Sequence, residues 1–271
     1  MRTNPLVMEW INLAARWAHV FAAILWVGST YFFTWLDGRF EEAARKSEGK
    51  SGEVWMVHSG GFYVVEKQKG LERLPPALHW FRWEAATTWL TGMALLVVVY
   101  YMGGALVDRD VWDVSAGVAS LASLGVLATS GLVYDLLMKS PVGRNEKAFA
   151  VVAFALVVAA SYLLTRLFSA RAAYIHLGAI FGTIMVANVW MHILPAQSRM
   201  VAALKEGRPA DESHGARAKL RSKHNTFMAV PVVFTMISHH FTSVYGHEYN
   251  WVILSALVLV GWVAAKLIRR A

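Results

Sequence analysis

The chain has no cysteine at all, which rules out disulfides, thiolate metal sites and a covalently attached c-type haem. Charge is scarce as well: Asp, Glu, Lys and Arg make up 16% of the 271 residues, against about 25% in ordinary soluble domains. Proline is sparse, with seven residues, so few positions interrupt a helix. A short signal-peptide core is also missing. The first apolar run is too long for one and carries Arg16 and His19, so no cleavable leader is expected. The net charge of +8 resides mainly in the connections between apolar runs. That placement reads as a topology signal and not as a phosphate-binding face, so no nucleic-acid partner is expected.

What is abundant points to lipid. Apolar residues form 56% of the chain, with twelve Trp, nine Tyr and thirteen Phe, and amphipathic rings collect at membrane interfaces. Apolar stretches lie near 10–36, 80–104, 111–138, 147–168, 172–198, 225–245 and 249–268. Each is long enough for the roughly 20 residues that cross a hydrocarbon core. Backbone groups in lipid need internal partners, so these runs are predicted to be helices. The expected fold is therefore an all-α, polytopic transmembrane bundle of about seven spans, read as one domain over 1–271. The connections on one side carry twenty Lys and Arg against four on the other. The positive-inside rule then predicts an amino terminus outside and a carboxyl terminus in the cytoplasm. Two long cytoplasmic loops follow, 37–79 and 199–223. Within the first, 37–57 reads as an amphipathic surface helix, and 58–79 as an ordered loop.

Ionisable groups at membrane depth are candidate functional residues, and ten histidines are present. His176 and His240, and likewise His192 and His224, have residue numbers with the same sum, so antiparallel neighbouring helices would bring each pair to one depth. Facing imidazoles of this kind suit bis-histidine haem ligation in a bundle. Sixteen residues, however, turn an ideal helix by about 160° beyond four full turns, so the two histidines of a span do not share one face of an ideal helix; a kink at Pro231 would change that phase in the sixth span. His19 is expected at the outer depth with His176 and His240, and His79 opens the second span. A membrane histidine can equally be a hydrogen-bonded packing residue, and Gly178 and Gly182 can serve helix contact as readily as a macrocycle.

Five strings are specific: RWAHVFAAILWVGSTYFFTWLD (16–37), VHSGGFYVVEK (57–67), LHWFRWEAATTWLTGMALLVVVYY (78–101), HLGAIFGTIMVANVW (176–190) and RSKHNTFMAVPVVFTMISHHF (221–241). Together they resemble the membrane domain of bacterial cytochrome-c-linked urate oxidases of the PuuD type, over nearly the whole chain and in the same order. HVFAAILWVG also resembles the first helix of small haem-binding membrane proteins such as the HemJ-type protoporphyrinogen oxidases, which supports His19 as a ligand. The resemblance implies a protein of the bacterial inner membrane that oxidises urate toward 5-hydroxyisourate. It further implies electron transfer through one or two b-type haems, with His19, His176, His240, His192 and His224 as candidate iron ligands. A family member of this kind continues through another membrane span into a cytochrome c domain with a CxxCH motif. No Cys occurs in these 271 residues, which leaves three readings: the acceptor is a separate periplasmic cytochrome c or a quinone, the chain is a domain fragment, or its activity differs.

Urate is a planar anion near neutral pH and needs a basic donor, an aromatic platform and a base. Arg82, Arg221 and Asn225 are the candidate donors, and Trp80, Trp83, Phe62 and Tyr63 the platform. His58, His79, Glu84 and His224 are the candidate catalytic bases. Two rival readings are a haem-bearing subunit that relays electrons without its own substrate, and a non-catalytic purine or anion carrier. Any of the three is compatible with an oligomer.

Overall fold

Lipid leaves the backbone no partners but its own, and the apolar runs accordingly wind into long helices. The computed structural model describes residues 4–46, 52–68 and 74–269. Helix α1 spans Pro5–Lys46. Helix α2 (Trp83–Leu95) runs on through a π-helical stretch, Leu96–Met102. Next come α3 (Ala116–Lys139) and α4 (Glu146–Leu167), joined by a single 3₁₀ turn, Pro141–Arg144. Helix α5 (Ala170–Ala187) passes through a second π stretch, Asn188–Ile193, into α6 (Leu194–Lys205). Helix α7 covers Glu212–Ser238, a short α8 covers Thr242–Tyr245, and α9 covers Asn250–Ile268. Side-chain caps set several starts. Ser115, Asn145, Ser169 and Asp211 each accept a backbone N–H from the first turn of α3, α4, α5 and α7 respectively, satisfying groups that a helix end leaves open.

The result is an all-α, polytopic bundle. Among the described residues six helical segments are long and apolar enough to cross a membrane: α1, α2 with its π stretch, α3, α4, α5 continuing into α6, and α9. Helix α7, expected as the sixth span, is not among them. The reason is composition: its first half, ESHGARAKLRSKHN, is polar and charged, and the apolar run that follows ends with the helix at Ser238. It packs against α5, α6, α9 and α1, and it buries Arg221, Asn225, Thr226, Thr235 and Ser238, so protein and not lipid solvates its polar side. The α5 segment is the most enclosed, with 44% of its apolar window buried, whereas α1 is peripheral at 11%. Two close approaches lock this core. A Cβ on Gly178 would stand 2.1 Å from Thr235 Oγ1, and one on Gly261 would stand 2.9 Å from the Pro231 ring. Both glycines let α7 sit against its neighbours with no side chain between.

The first long loop differs from expectation. In place of a surface helix over 37–57, α1 simply continues to Lys46, and residues 47–51 lie outside the described set. An antiparallel hairpin follows, β1 (Glu53–His58) and β2 (Gly61–Glu66). Its turn is Ser59–Gly60, both with positive φ, the backbone that a two-residue hairpin connection demands. Val54 of the hairpin packs on Leu36 and Phe40 of α1, with Met56 and Val65 alongside. The helix formers of the charged 37–46 segment suit an extension of α1 as well as a separate helix. The EVWMVH and GFYVVE runs carry the β-branched and aromatic content of strands.

Candidate functional site

Two loci gather the polar and ionisable side chains, one near each end of the bundle. The first is a cavity of about 520 Å³ bounded by α1, α2, α5 and α7. Most of its wall is apolar, with Trp26, Trp89 and Tyr100 among the rings, and Gly92, Gly178 and Gly182 also contribute. His19, His239 and His240 reach it from α1 and the end of α7, together with Arg16 and Arg171.

The geometry of His19 matters most here. Its Nδ1 lies 3.0 Å from the Thr88 carbonyl oxygen and 3.1 Å from Thr91 Oγ1. A carbonyl only accepts, so Nδ1 carries the proton and Nε2 keeps its lone pair. No described residue hydrogen-bonds that Nε2. A histidine whose other nitrogen donates to a carbonyl has the tautomer and orientation typical of a metal ligand. Gly92 makes room for the ring, since a Cβ there would come within 2.9 Å of His19 Cε1. One turn before His19 on α1, Arg16 Nη1 is 3.5 Å from His239 Nε2, and the His239 and His240 rings lie 3.9 Å apart at 41°. Among the described residues the buried Nε of Arg171 and Nδ1 of His239 have no hydrogen-bond partner.

His176 was expected with His19 and His240 but faces elsewhere. It is fully buried, its Nδ1 donates to the Ala172 carbonyl at 2.7 Å, and its Nε2 accepts from Ser123 Oγ at 2.7 Å. Phe168 stacks on the ring at 4.5 Å and Tyr100 meets it edge-on. Both nitrogens are therefore engaged by protein, and the contacts go to α3 and not to His240.

The second locus is a buried polar network where α3, the second π stretch and α7 meet. Arg221 donates from Nη2 to Asp135 at 2.6 Å and from Nη1 to the Asn188 side-chain oxygen at 3.0 Å. The Asn188 amide donates to Asn225 Oδ1 at 2.8 Å and to Tyr134 Oη at 3.2 Å. Asn225 in turn donates to the Met185 carbonyl at 3.1 Å. Tyr134 Oη is 2.9 Å from His224 Nδ1, and Phe149 stacks on that imidazole at 4.5 Å. Asp135 also receives His192 Nε2 at 3.1 Å and Lys139 at 2.6 Å. The π stretch explains how His176 and His192 both meet α3. Each π turn takes about one residue more than an α turn, which takes up much of the phase drift of an ideal helix. His192 and His224 thus come to one depth on adjoining α3 residues, as the equal sums predicted, each through its own partner there.

Of the sequence candidates, Arg221, His224, Asn225 and His192 share this network. Tyr134, Asp135 and Asn188 belong to it but were missed. Only a lone Asp inside an apolar run, flanked by Tyr134, could have signalled α3, and Asn188 carries no charge to attract notice. The remaining candidates lie away from it. Arg82 and Trp83 are exposed, with the guanidinium 5.4 Å from the Trp83 ring, and Trp83 meets Trp190 at 5.7 Å. Trp80 and Glu84 are half-buried, and His79 is exposed. His58, Phe62 and Tyr63 are exposed on the hairpin. Among the described residues no group of three or more His, Asp or Glu is arranged to hold a metal ion.

Comparison with known families then supplies the deciding observation: the urate oxidase N-terminal family matches residues 5–270. The chain belongs to that family. The match covers every helix described above, so both loci fall inside the matched region. No curated protein and no solved structure matches the chain. The family places the protein in a urate-related role, and the apolar helices make it a multi-pass membrane protein.

Proposed function

We propose that this chain is a membrane oxidoreductase that oxidises urate toward 5-hydroxyisourate and passes the electrons through haem b to a cytochrome c or quinone. The proposed setting is the bacterial inner membrane, with the basic connections in the cytoplasm. The reaction balances as urate plus water giving 5-hydroxyisourate, two protons and two electrons. The observation that carries the haem assignment is His19: an imidazole oriented by a backbone carbonyl, with a free Nε2, on a cavity partly walled by glycines. Haem b bound there would supply a one-electron acceptor within the bilayer. His19 and one of His239 and His240 would hold the iron, and Arg16 and Arg171 offer guanidinium donors to propionates. The unpartnered Nε of Arg171 fits that role. The cavity volume supports one haem. His176 serves the fold, with both nitrogens engaged.

For urate, the exposed Arg82 with Trp83 and neighbouring Trp190 offers a cation and two ring faces beside the π stretch that carries His192. Glu84, His79 and His192 are the bases nearest in sequence to these rings, and proton release to the basic side needs one of them. Arg221, Asn225 and His224 support this site from within the bundle. Since Arg221 is already engaged by Asp135 and Asn188, the electron-relay reading has one specific observation in its favour.

The test is the visible spectrum of the detergent-purified protein, oxidised and dithionite-reduced, with pyridine haemochrome quantification. The reading expects a b-type signal at one haem per chain, reducible by urate, and its loss in His19→Ala protein that still inserts. Absence of a Soret band in haem-replete protein would overturn it. Haem that dithionite reduces and urate does not would leave the relay.

A further inference from the structure

The hairpin has two unlike faces, and the register separates them. Val54 pairs with Val65 and Met56 with Tyr63, and this face rests on Leu36 and Phe40 of α1. The opposite face holds the pairs Trp55–Val64 and Val57–Phe62. These four side chains are 65%, 49%, 70% and 79% exposed respectively. An antiparallel sheet with one face in water ordinarily alternates to polar residues on that face. Here charge appears only at the open end, as the Glu53–Glu66 pair. A contiguous apolar patch of this kind marks a contact surface, not a solvated one.

The depth of the patch identifies the occupant. Trp35 of α1 and Trp83 and Trp190 beyond it are exposed rings at this end of the bundle, the arrangement of an aromatic belt at a membrane interface. Phe33 and Phe81 continue the same apolar surface, 4.9 Å apart. The hairpin's seat, Phe40, lies five residues past Trp35, or about 7.5 Å along the helix axis. The polar headgroup layer is roughly 5–8 Å deep on each side of the hydrocarbon, so the sheet stands at that level. We infer that the Trp55, Val57, Phe62 and Val64 face inserts into the phospholipid headgroup–acyl boundary and fastens the long loop between α1 and α2 to the membrane. Phe62 is then a lipid anchor and not part of a substrate platform. This inference does not depend on the haem or urate assignments.

The cysteine-free sequence makes the test direct. Val57→Cys and Phe62→Cys are introduced singly into the full chain, with Glu66→Cys as a rim control, and each is nitroxide-labelled in phospholipid nanodiscs. Power-saturation measurements compare accessibility to oxygen, which partitions into lipid, with accessibility to a water-soluble nickel chelate. At 57 and 62 oxygen accessibility should exceed that to the chelate several-fold, with the order reversed at 66. Trp55 and Val64 remain to hold the face in each single variant. Chelate accessibility at both 57 and 62 equal to that at 66 would overturn the inference. So would immobile labels shielded from both reagents, since that marks a protein partner or a second copy on the face.

Discussion

Asp135→Asn removes the carboxylate from the buried network while keeping the side-chain shape. Arg221 is 7% exposed and depends on Asp135 at 2.6 Å for its only anionic partner in that network. At an effective dielectric of about 20, charges about 3 Å apart attract by roughly 5 kcal/mol before desolvation is subtracted. Breaking a buried pair by removing one partner typically costs about 3–5 kcal/mol, because the other charge stays buried. The Asp135 side chain is 21% exposed, so water can partly replace it, and about 3 kcal/mol is the expected loss. His192 and Lys139 lose the same anionic partner, so the π stretch should loosen along with α7. The assay is unfolding of the detergent-solubilised protein in increasing SDS, followed by circular dichroism and Trp fluorescence. Combining the change with Arg221→Met should recover at least about 1.5 kcal/mol, since no charge is then left unpaired. A loss below about 0.5 kcal/mol in the single variant, or strict additivity in the double, would refute the reasoning that this pair is energetically coupled.

Four further outcomes are expected. Gly178→Ala brings a Cβ onto Thr235 Oγ1, which is itself bonded to the Val232 carbonyl at 2.8 Å; overpacking of this kind costs about 1–3 kcal/mol, measurable by the same SDS titration. Ser123→Ala leaves the buried His176 Nε2 without its donor and Tyr101 without its acceptor, a loss of about 1–3 kcal/mol, whereas haem content should stay unchanged. Gly92→Ala presses on the His19 ring and should shift or weaken the Soret band without unfolding the protein, so an unaltered spectrum counts against His19 as the ligand. The Asp211 carboxyl, which caps α7 from the connection before it, is held below the usual carboxylate range by the Ser213 backbone N–H and then the Ser213 side chain. Its folded pKa is depressed, so the cap's contribution is present above the ordinary value and fades as pH falls through the lowered one. Amide protection factors in the first turn of α7, corrected for the intrinsic pH dependence of exchange, should fall over that acid window and stay constant there in Asp211→Ala.

The resemblance strings carried the family, and periodic apolar runs with lipid-scale length carried the all-α bundle, because hydrocarbon leaves a chain so few alternatives. The equal residue sums placed His192 and His224 at one depth because antiparallel helices share a common rise. They could not reveal which way each imidazole points. That depended on the π stretch at 188–193, whose extra residue per turn turns His192 toward Asp135 and leaves Asn188 facing Arg221. Such a bulge is stabilised by the neighbours it meets, and those neighbours come from α3 and α7, far away in sequence. The roles of His19 and His176 were likewise indistinguishable in the sequence: each is a histidine in an apolar run with small residues nearby. The Thr88 carbonyl leaves one of them a free nitrogen, and Ser123 together with the Ala172 carbonyl occupies both nitrogens of the other. The hairpin's alternation was readable in EVWMVH and GFYVVE, but which face would rest on α1 and which would stay bare was decided by where Leu36 and Phe40 stand at the end of the first helix.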